Sequence, residues 1–241
     1  MSNQYFQFKQ FTVYQDKSAM KVCTDSCLFG AWVANYLREI NLDPGHLLDI
    51  GTGTGLLSLM LAQHTTGQID AVEIDRPAFE QASENFSKSL WYNRLNGFNL
   101  SIQEFARKKN ASYDFIICNP PFFENNLISG NQSKNLALHS SALKLEELLV
   151  LIKGLLNAEG RFALLIPHSR AEELIKSANK TGFFPEKVTH VKQSLQHGYF
   201  RSMICFATKA NNYLQEEIVI KSDQQYSSEF QQLLHPYYLH L

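Results

Sequence analysis

Two short runs in this 241-residue chain have residue types and spacing suited to chemistry. The first is Asp49-Ile50-Gly51-Thr52-Gly53-Thr54-Gly55, entered from the apolar pair Leu47-Leu48. Glycines at alternate positions let the backbone turn sharply and lie close against a ligand. The second run is Asn119-Pro120-Pro121-Phe122. Adjacent prolines stiffen a loop. A stiff loop can hold the Asn119 side-chain oxygen and the Pro120 carbonyl as two convergent acceptors, and two acceptors recognise a nitrogen that carries two hydrogens. The lone pair of an aryl or amide nitrogen is delocalised and weakly nucleophilic. Two aligned acceptors favour a more tetrahedral nitrogen and aim its lone pair at the group to be transferred. Phe122 is placed to stack on a planar target.

The glycine run is spaced GxGxG, not the GxGxxG of dinucleotide-binding turns. Asp49, ending the apolar run, suits a positively charged or amino-bearing cofactor better than a phosphate. About 20 residues beyond the glycines, where such folds place an acid on ribose hydroxyls, the sequence reads Ala71-Val72-Glu73-Ile74-Asp75. Glu73 is the first choice for that acid and Asp75 the second. The alternative is that both acids only cap the helix that follows.

The elements that position these residues alternate in type. Apolar strands are expected at 46–50, 69–74, 98–102, 113–118, 161–166, 187–192 and 201–208. Helices are expected from Thr24 or Asp25 to about Leu37, over 56–63, 78–90 and 145–156, and over 169–181. Strands alternating with helices predict an α/β, Rossmann-like fold: a seven-stranded, mostly parallel sheet covered on both faces. The sixth and seventh strands have no helix between them and are expected to form an antiparallel edge pair. One domain is expected over 1–241, with a core at 41–210, an N-terminal extension at 1–40 beside the cofactor and a C-terminal extension at 211–241.

A formal charge of −1 excludes a strongly basic surface overall, although a local basic face suffices for phosphate contacts. The candidate basic clusters are Arg107-Lys108-Lys109 and the group Lys187, Lys192 and Arg201; His197-Gly198-Tyr199-Phe200-Arg201 combines Arg with aromatics. The four cysteines show no CxxC spacing, so no metal site is expected and a reducing compartment is. No apolar stretch reaches membrane-spanning length and Met1–Gln10 lacks the pattern of a signal peptide, so a cytoplasmic location is expected.

The glycine run followed by Asn119–Phe122 resembles the amino methyltransferases with an Asn-Pro-Pro-Tyr/Phe motif. Three further segments narrow the resemblance to the bacterial tRNA1(Val) adenine-37 N6-methyltransferases. They are Asp16–Asp25, Asn119–Glu124 and the ending Tyr226-Ser227-Ser228-Glu229-Phe230 with Tyr237-Tyr238-Leu239. This resemblance covers nearly the whole chain. It implies a class I methyltransferase fold, S-adenosylmethionine as donor, and as target the tRNA adenine next to the anticodon; a monomer or weak dimer is expected. It also implies that Lys21, Thr24 and Asp25 lie beside a cofactor site built from Asp49, Gly51, Gly53, Gly55, Glu73 and Asn119. Relatives often carry an acid after the third strand, toward the cofactor's adenine. Here Ser101 holds that position, followed by Glu104, so a hydroxyl contact or a displaced role for Glu104 is implied. Guanine N2 in ribosomal RNA, glutamine N5 in a protein, and a non-catalytic RNA-binding role stand as alternatives.

Overall fold

The computed structural model describes residues 3–18, 20–109, 112–120, 144–223 and 225–241. Pro121 and Phe122, singled out in the sequence, lie outside the described residues, as does the polar segment 124–135.

A short antiparallel hairpin, β1 (Tyr5–Gln7) and β2 (Thr12–Tyr14), leads into helix α1 (Thr24–Glu39). Strand and helix then alternate: β3 (His46–Ile50), α2 (Leu56–Ala62), β4 (Gln68–Val72), α3 (Arg76–Ser87), β5 (Leu95–Phe98), α4 (Ile102–Lys108) and β6 (Tyr113–Cys118). The second part holds α5 (Leu145–Leu155), β7 (Leu156–Pro167), α6 (Ala171–Thr181), β8 (Phe184–Ser194), β9 (Tyr199–Ala207), β10 (Leu214–Ser222), β11 (Gln225–Tyr226) and α7 (Ser228–Leu234).

The main sheet has nine strands in the order β11-β10-β8-β9-β7-β6-β3-β4-β5. The five strands from β7 to β5 are parallel, and β9 inserts antiparallel between β7 and β8. The expected antiparallel pair is therefore present as β8 and β9, but it is not the edge. The C-terminal extension adds β10 parallel to β8 and β11 beyond it.

Alternation along each central strand divides the core between the two faces. Leu47, Phe115, Met203 and Cys205 pack with α1, α2 and α7, whereas Leu48, Ile116, Ile204 and Phe206 pack with α4, α5 and α6. Helix α1 is seated by Trp32, whose indole N–H donates to Thr189 Oγ1 on β8 at 2.9 Å. Gly30 allows α1 to approach α2 closely; a Cβ there would stand 2.7 Å from Met60 Sδ.

Two boundaries differ from expectation for a local reason. The third strand ends at Phe98, and Ser101 starts α4, a helix absent from the sequence reading. Ser101 Oγ accepts from the Glu104 backbone N–H while Glu104 accepts from the Ser101 backbone N–H, a reciprocal capping box. Among the described residues no helix is long and apolar enough to cross a membrane, and no cluster of His, Cys, Asp or Glu has the makings of a metal site.

Candidate active site

The register of the sheet brings the two sequence motifs together. Strands β3 and β6 are direct neighbours, with Ile50 opposite Cys118. Gly51 and Asn119 are the next residues on each, so both emerge at the carboxyl edge of adjacent strands, roughly 5 Å apart in strand spacing. Open α/β sheets bind ligands at this edge.

The glycine loop is held from three sides. Gly51, Gly53 and Gly55 all have positive φ, at 70°, 58° and 83°. Among the described residues a Cβ on Gly51 or Gly53 would meet nothing within 4 Å, so the outer face of the loop is open to them, whereas one on Gly55 would stand 2.5 Å from the Phe86 ring. From below, Asp49 is fully buried and its Oδ2 accepts from Thr52 Oγ1 at 2.6 Å, Ser58 Oγ at 2.7 Å and the Ser58 backbone N–H at 3.2 Å. Its other oxygen, Oδ1, is buried with no partner among the described residues. Burial pushes the Asp49 carboxyl up to about 6, against the pull of the Thr52 and Ser58 hydrogen bonds. From the side, Glu73 Oε2 accepts the Gly53 N–H at 2.9 Å. From behind, the Asn85 amide donates to Thr54 O and Tyr14 O, both at 2.8 Å, joining loop, α3 and β2.

Glu73 and Asp75 have separate roles. Glu73 is 9% exposed at the end of β4 and also accepts the Asp75 N–H through Oε1 at 2.9 Å. Asp75 is the N-cap of α3, its Oδ2 taking the Ala78 N–H at 3.1 Å. Of the two acids proposed from sequence, Asp75 is therefore the helix cap. Asn99 adds a contact that the sequence did not suggest, donating to Glu73 O at 2.9 Å and tying the ends of β4 and β5 together.

Ser101 does not present a free hydroxyl. Its Oγ donates to Glu104 Oε2 at 2.7 Å while accepting the Glu104 N–H at 3.2 Å. Both side chains serve the cap of α4.

Asn119 is half-buried, and its Nδ2 donates to Ser26 Oγ on α1 at 3.0 Å. Among the described residues its Oδ1 has no hydrogen-bond partner, nor does the Pro120 carbonyl. The start of α1 is fixed next to it. Asp25 pairs with Arg201 Nε on β9 at 2.9 Å, and its Oδ1 accepts the Ser26 N–H at 3.1 Å. The N-cap is Cys23, without a side-chain cap bond, so neither Thr24 nor Asp25 is the cap. Thr24 is exposed beside it, and exposed Lys21 donates to the Gln15 carbonyl.

Most of the candidate basic residues have acidic partners within the chain. Lys109 pairs with Asp70, buried Lys187 with Glu39 and Glu216, Lys192 with Glu217, and Arg201 with Asp25. The segment 197–201 is the end of the turn and the start of β9, and it delivers Arg201 to the start of α1.

Comparison with known proteins decides the family. Residues 33–152 match the model of the methyltransferase small domain. A tRNA1(Val) (adenine(37)-N6)-methyltransferase of Cytophaga hutchinsonii is 40% identical over 255 residues, covering 100% of both chains. One of the same name from Flavobacterium psychrophilum is 41% identical over 236 residues, covering 97% of this chain and 99% of its own. This chain belongs to the tRNA1(Val) (adenine(37)-N6)-methyltransferase family.

The fold agrees with that membership. A structure described as a predicted O-methyltransferase of Agrobacterium tumefaciens superposes with a TM-score of 0.66 at 12% identity, covering 88% of this chain and 96% of its own. Magnesium protoporphyrin IX methyltransferase of Synechocystis, solved with bound S-adenosylmethionine, gives a TM-score of 0.55 at 18% identity, covering 77% and 80%. Ser26, Asn85 and Asn99 escaped the sequence reading, because each acts on a motif distant in the chain and none carries a spacing of its own.

Proposed function

We propose that this chain transfers a methyl group from S-adenosylmethionine to N6 of adenine 37 in the anticodon loop of tRNA1(Val), the reaction named for its relatives. The reading rests most heavily on Asn119: its Oδ1 is free among the described residues and stands beside an open glycine loop on the neighbouring strand.

The residues present fit the donor. The open face over Gly51 and Gly53 admits close backbone approach. Glu73 uses one lone pair of each oxygen on backbone N–H groups, which leaves acceptor capacity for two ribose hydroxyls. Asp49, with an unpartnered oxygen beneath the loop, favours positive charge above it. Lys21, Thr24 and Asp25 border the same end of the sheet at the start of α1. Bound S-adenosylmethionine supplies an electrophilic methyl on a positively charged sulfur.

The chain's own contribution is positioning. Asn119 Oδ1 and the Pro120 carbonyl accept the two hydrogens of the adenine amino group, which turns the nitrogen lone pair out of conjugation and toward the donor. Phe122 stacks on the base, as aromatic side chains do on flipped nucleotides. The proton leaves the nitrogen after transfer, when the amine has become acidic, and no covalent enzyme intermediate forms. The chain acts in the cytoplasm, as a monomer or weak dimer, without a metal.

Labelled S-adenosylmethionine offered with separate fractions of unmodified tRNA, ribosomal RNA and protein tests this reading. Label is expected in the tRNA fraction. Label confined to ribosomal RNA or protein would overturn the substrate, and no label despite measured donor binding would overturn the activity.

A further inference from the structure

An amide side chain has two ends of similar shape and opposite function, and only the oxygen can accept a hydrogen from an amino group. If the Asn119 amide turned over, its Nδ2 would face the target nitrogen as a second donor and repel it. The catalytic loop therefore needs something that recognises the nitrogen end. In this structure that partner is Ser26, whose Oγ lies 3.0 Å from Asn119 Nδ2.

We propose that Ser26 is a positioning residue for methyl transfer, setting the orientation of the Asn119 amide so that Oδ1 faces the target amine. The inference rests on the role proposed for Asn119. Three observations carry it.

The Ser26 hydroxyl has a reason to accept rather than donate toward Asn119. Cys23 Sγ lies 3.0 Å from Ser26 Oγ on its other side and can take the hydroxyl hydrogen, which leaves the oxygen lone pairs to Nδ2. Ser26 is also poorly placed to move. It is 8% exposed, its backbone N–H is held by Asp25 Oδ1 at 3.1 Å, and Asp25 is clamped by Arg201 at 2.9 Å. The bond spans 93 residues and joins α1 to the end of β6, so it crosses from an element outside the two motifs into the reaction loop. A buried hydroxyl serving only the helix would bond back to a carbonyl one turn earlier, as Thr65 does to Leu61 O. Ser26 keeps its hydrogen on Cys23 Sγ and offers its oxygen to Asn119 across the site.

The consequence is a division of labour. Donor binding belongs to the glycine loop and Glu73, which Ser26 does not touch. Removing the hydroxyl leaves Asn119 free to sample both amide orientations and to bond water, so the loss falls on the chemical step.

The test is a set of three variants: Ser26→Ala, Asn119→Ala and the double variant. Single-turnover methyl transfer to unmodified valine tRNA, donor dissociation constant and melting temperature are measured for each. Alanine is a good helix former, so α1 is retained. Ser26→Ala is expected to lower the transfer rate about 10-fold with donor affinity and melting temperature unchanged. The double variant is expected to be no slower than Asn119→Ala alone, because Ser26 acts only through Asn119. A Ser26→Ala rate within about twofold of wild type overturns the inference. So does an additive loss in the double variant, or a rate loss accompanied by lost donor binding or melting, which makes Ser26 a packing residue. A wild-type protein that methylates no tRNA is a different failure, that of the proposed function, and is read directly in the same assay.

Discussion

Glu73 Oε2 accepts the Gly53 backbone N–H at 2.9 Å, so the acid that ends β4 also shapes the glycine loop that follows β3. The side chain read from the sequence as a ribose contact is thus part of the loop's own scaffold. Its second oxygen holds the Asp75 N–H and so fixes the entry to α3. One carboxylate serves two turns, and a substitution there reaches the donor site by two routes.

Glu73→Gln tests this directly. A glutamine keeps the shape but offers one acceptor oxygen in place of two, and its NH2 faces an N–H it cannot accept. Donor affinity should fall about 10- to 100-fold, consistent with unpaired hydroxyls and a loosened loop. Isothermal titration with S-adenosylmethionine measures it; an unchanged dissociation constant excludes Glu73 from the donor site.

Gly53 and Gly55 should respond differently to the same substitution. Both have positive φ, which strains an alanine by about 1 kcal/mol. A Cβ on Gly55 also meets the Phe86 ring at 2.5 Å, whereas one on Gly53 points into open space. Gly55→Ala should therefore lower stability by roughly 2–4 kcal/mol. Gly53→Ala should lose only about 1 kcal/mol of stability yet weaken donor binding strongly. Denaturant melts and donor titration on both variants separate the two; equal stability losses would contradict the packing difference.

Asp49 gives a pH dependence with a definite sign. Its folded value, about 6, stands above the ordinary 3.8 because the carboxyl is desolvated. Between those values the folded chain holds the proton more tightly than the unfolded chain. Stability from this group is thus greatest below pH 4, falls as pH rises toward 6 and is level above it. Asp49→Asn removes that dependence. The variant without donor should be more stable than wild type at pH 8 by on the order of 1–2 kcal/mol, an advantage that shrinks toward pH 4. Donor binding should weaken with the loss of the negative charge. Denaturant melts at pH 4, 6 and 8 check the trend, and an advantage that grows on acidification contradicts it.

The central part of the fold was legible because its strands are continuous apolar runs that stop at polar residues with work to do. Leu47-Leu48 stops at Asp49, Ala71-Val72 at Glu73, and Ile116-Ile117-Cys118 at Asn119. Buried parallel strands produce that pattern, and the residue that ends each run sits at the binding edge. What escaped was set by contacts at a distance or by a local cap. Helix α4 was announced by Ser101 and Glu104 at capping-box spacing, yet the apolar Ile102 invited a longer strand. Strand β10 carries Glu216 and Glu217 beside Ile218-Val219-Ile220 and gains its place from pairing with β8. Lys187 read as a surface cation; it is buried because Glu39, 148 residues away, reaches it. The Ser26–Asn119 bond is of the same kind: each end is visible in the sequence, but their meeting is not.

Asn119→Ala should retain donor affinity and lower methyl transfer about 100-fold or more, since aligned acceptors act mainly at the transition state. Donor titration alongside single-turnover transfer gives both numbers. Near-normal turnover would remove Asn119 from the mechanism.

Methyl transfer to N6 requires one adenine amino group to lie against the donor. The most direct test uses wild-type protein, labelled S-adenosylmethionine and two transcripts of valine tRNA, one natural in sequence and one with guanine in place of adenine 37. Nucleoside analysis of the products should find N6-methyladenosine in the first and no label in the second. Equal label in both transcripts, or label on a guanine, would show that adenine 37 is not the target.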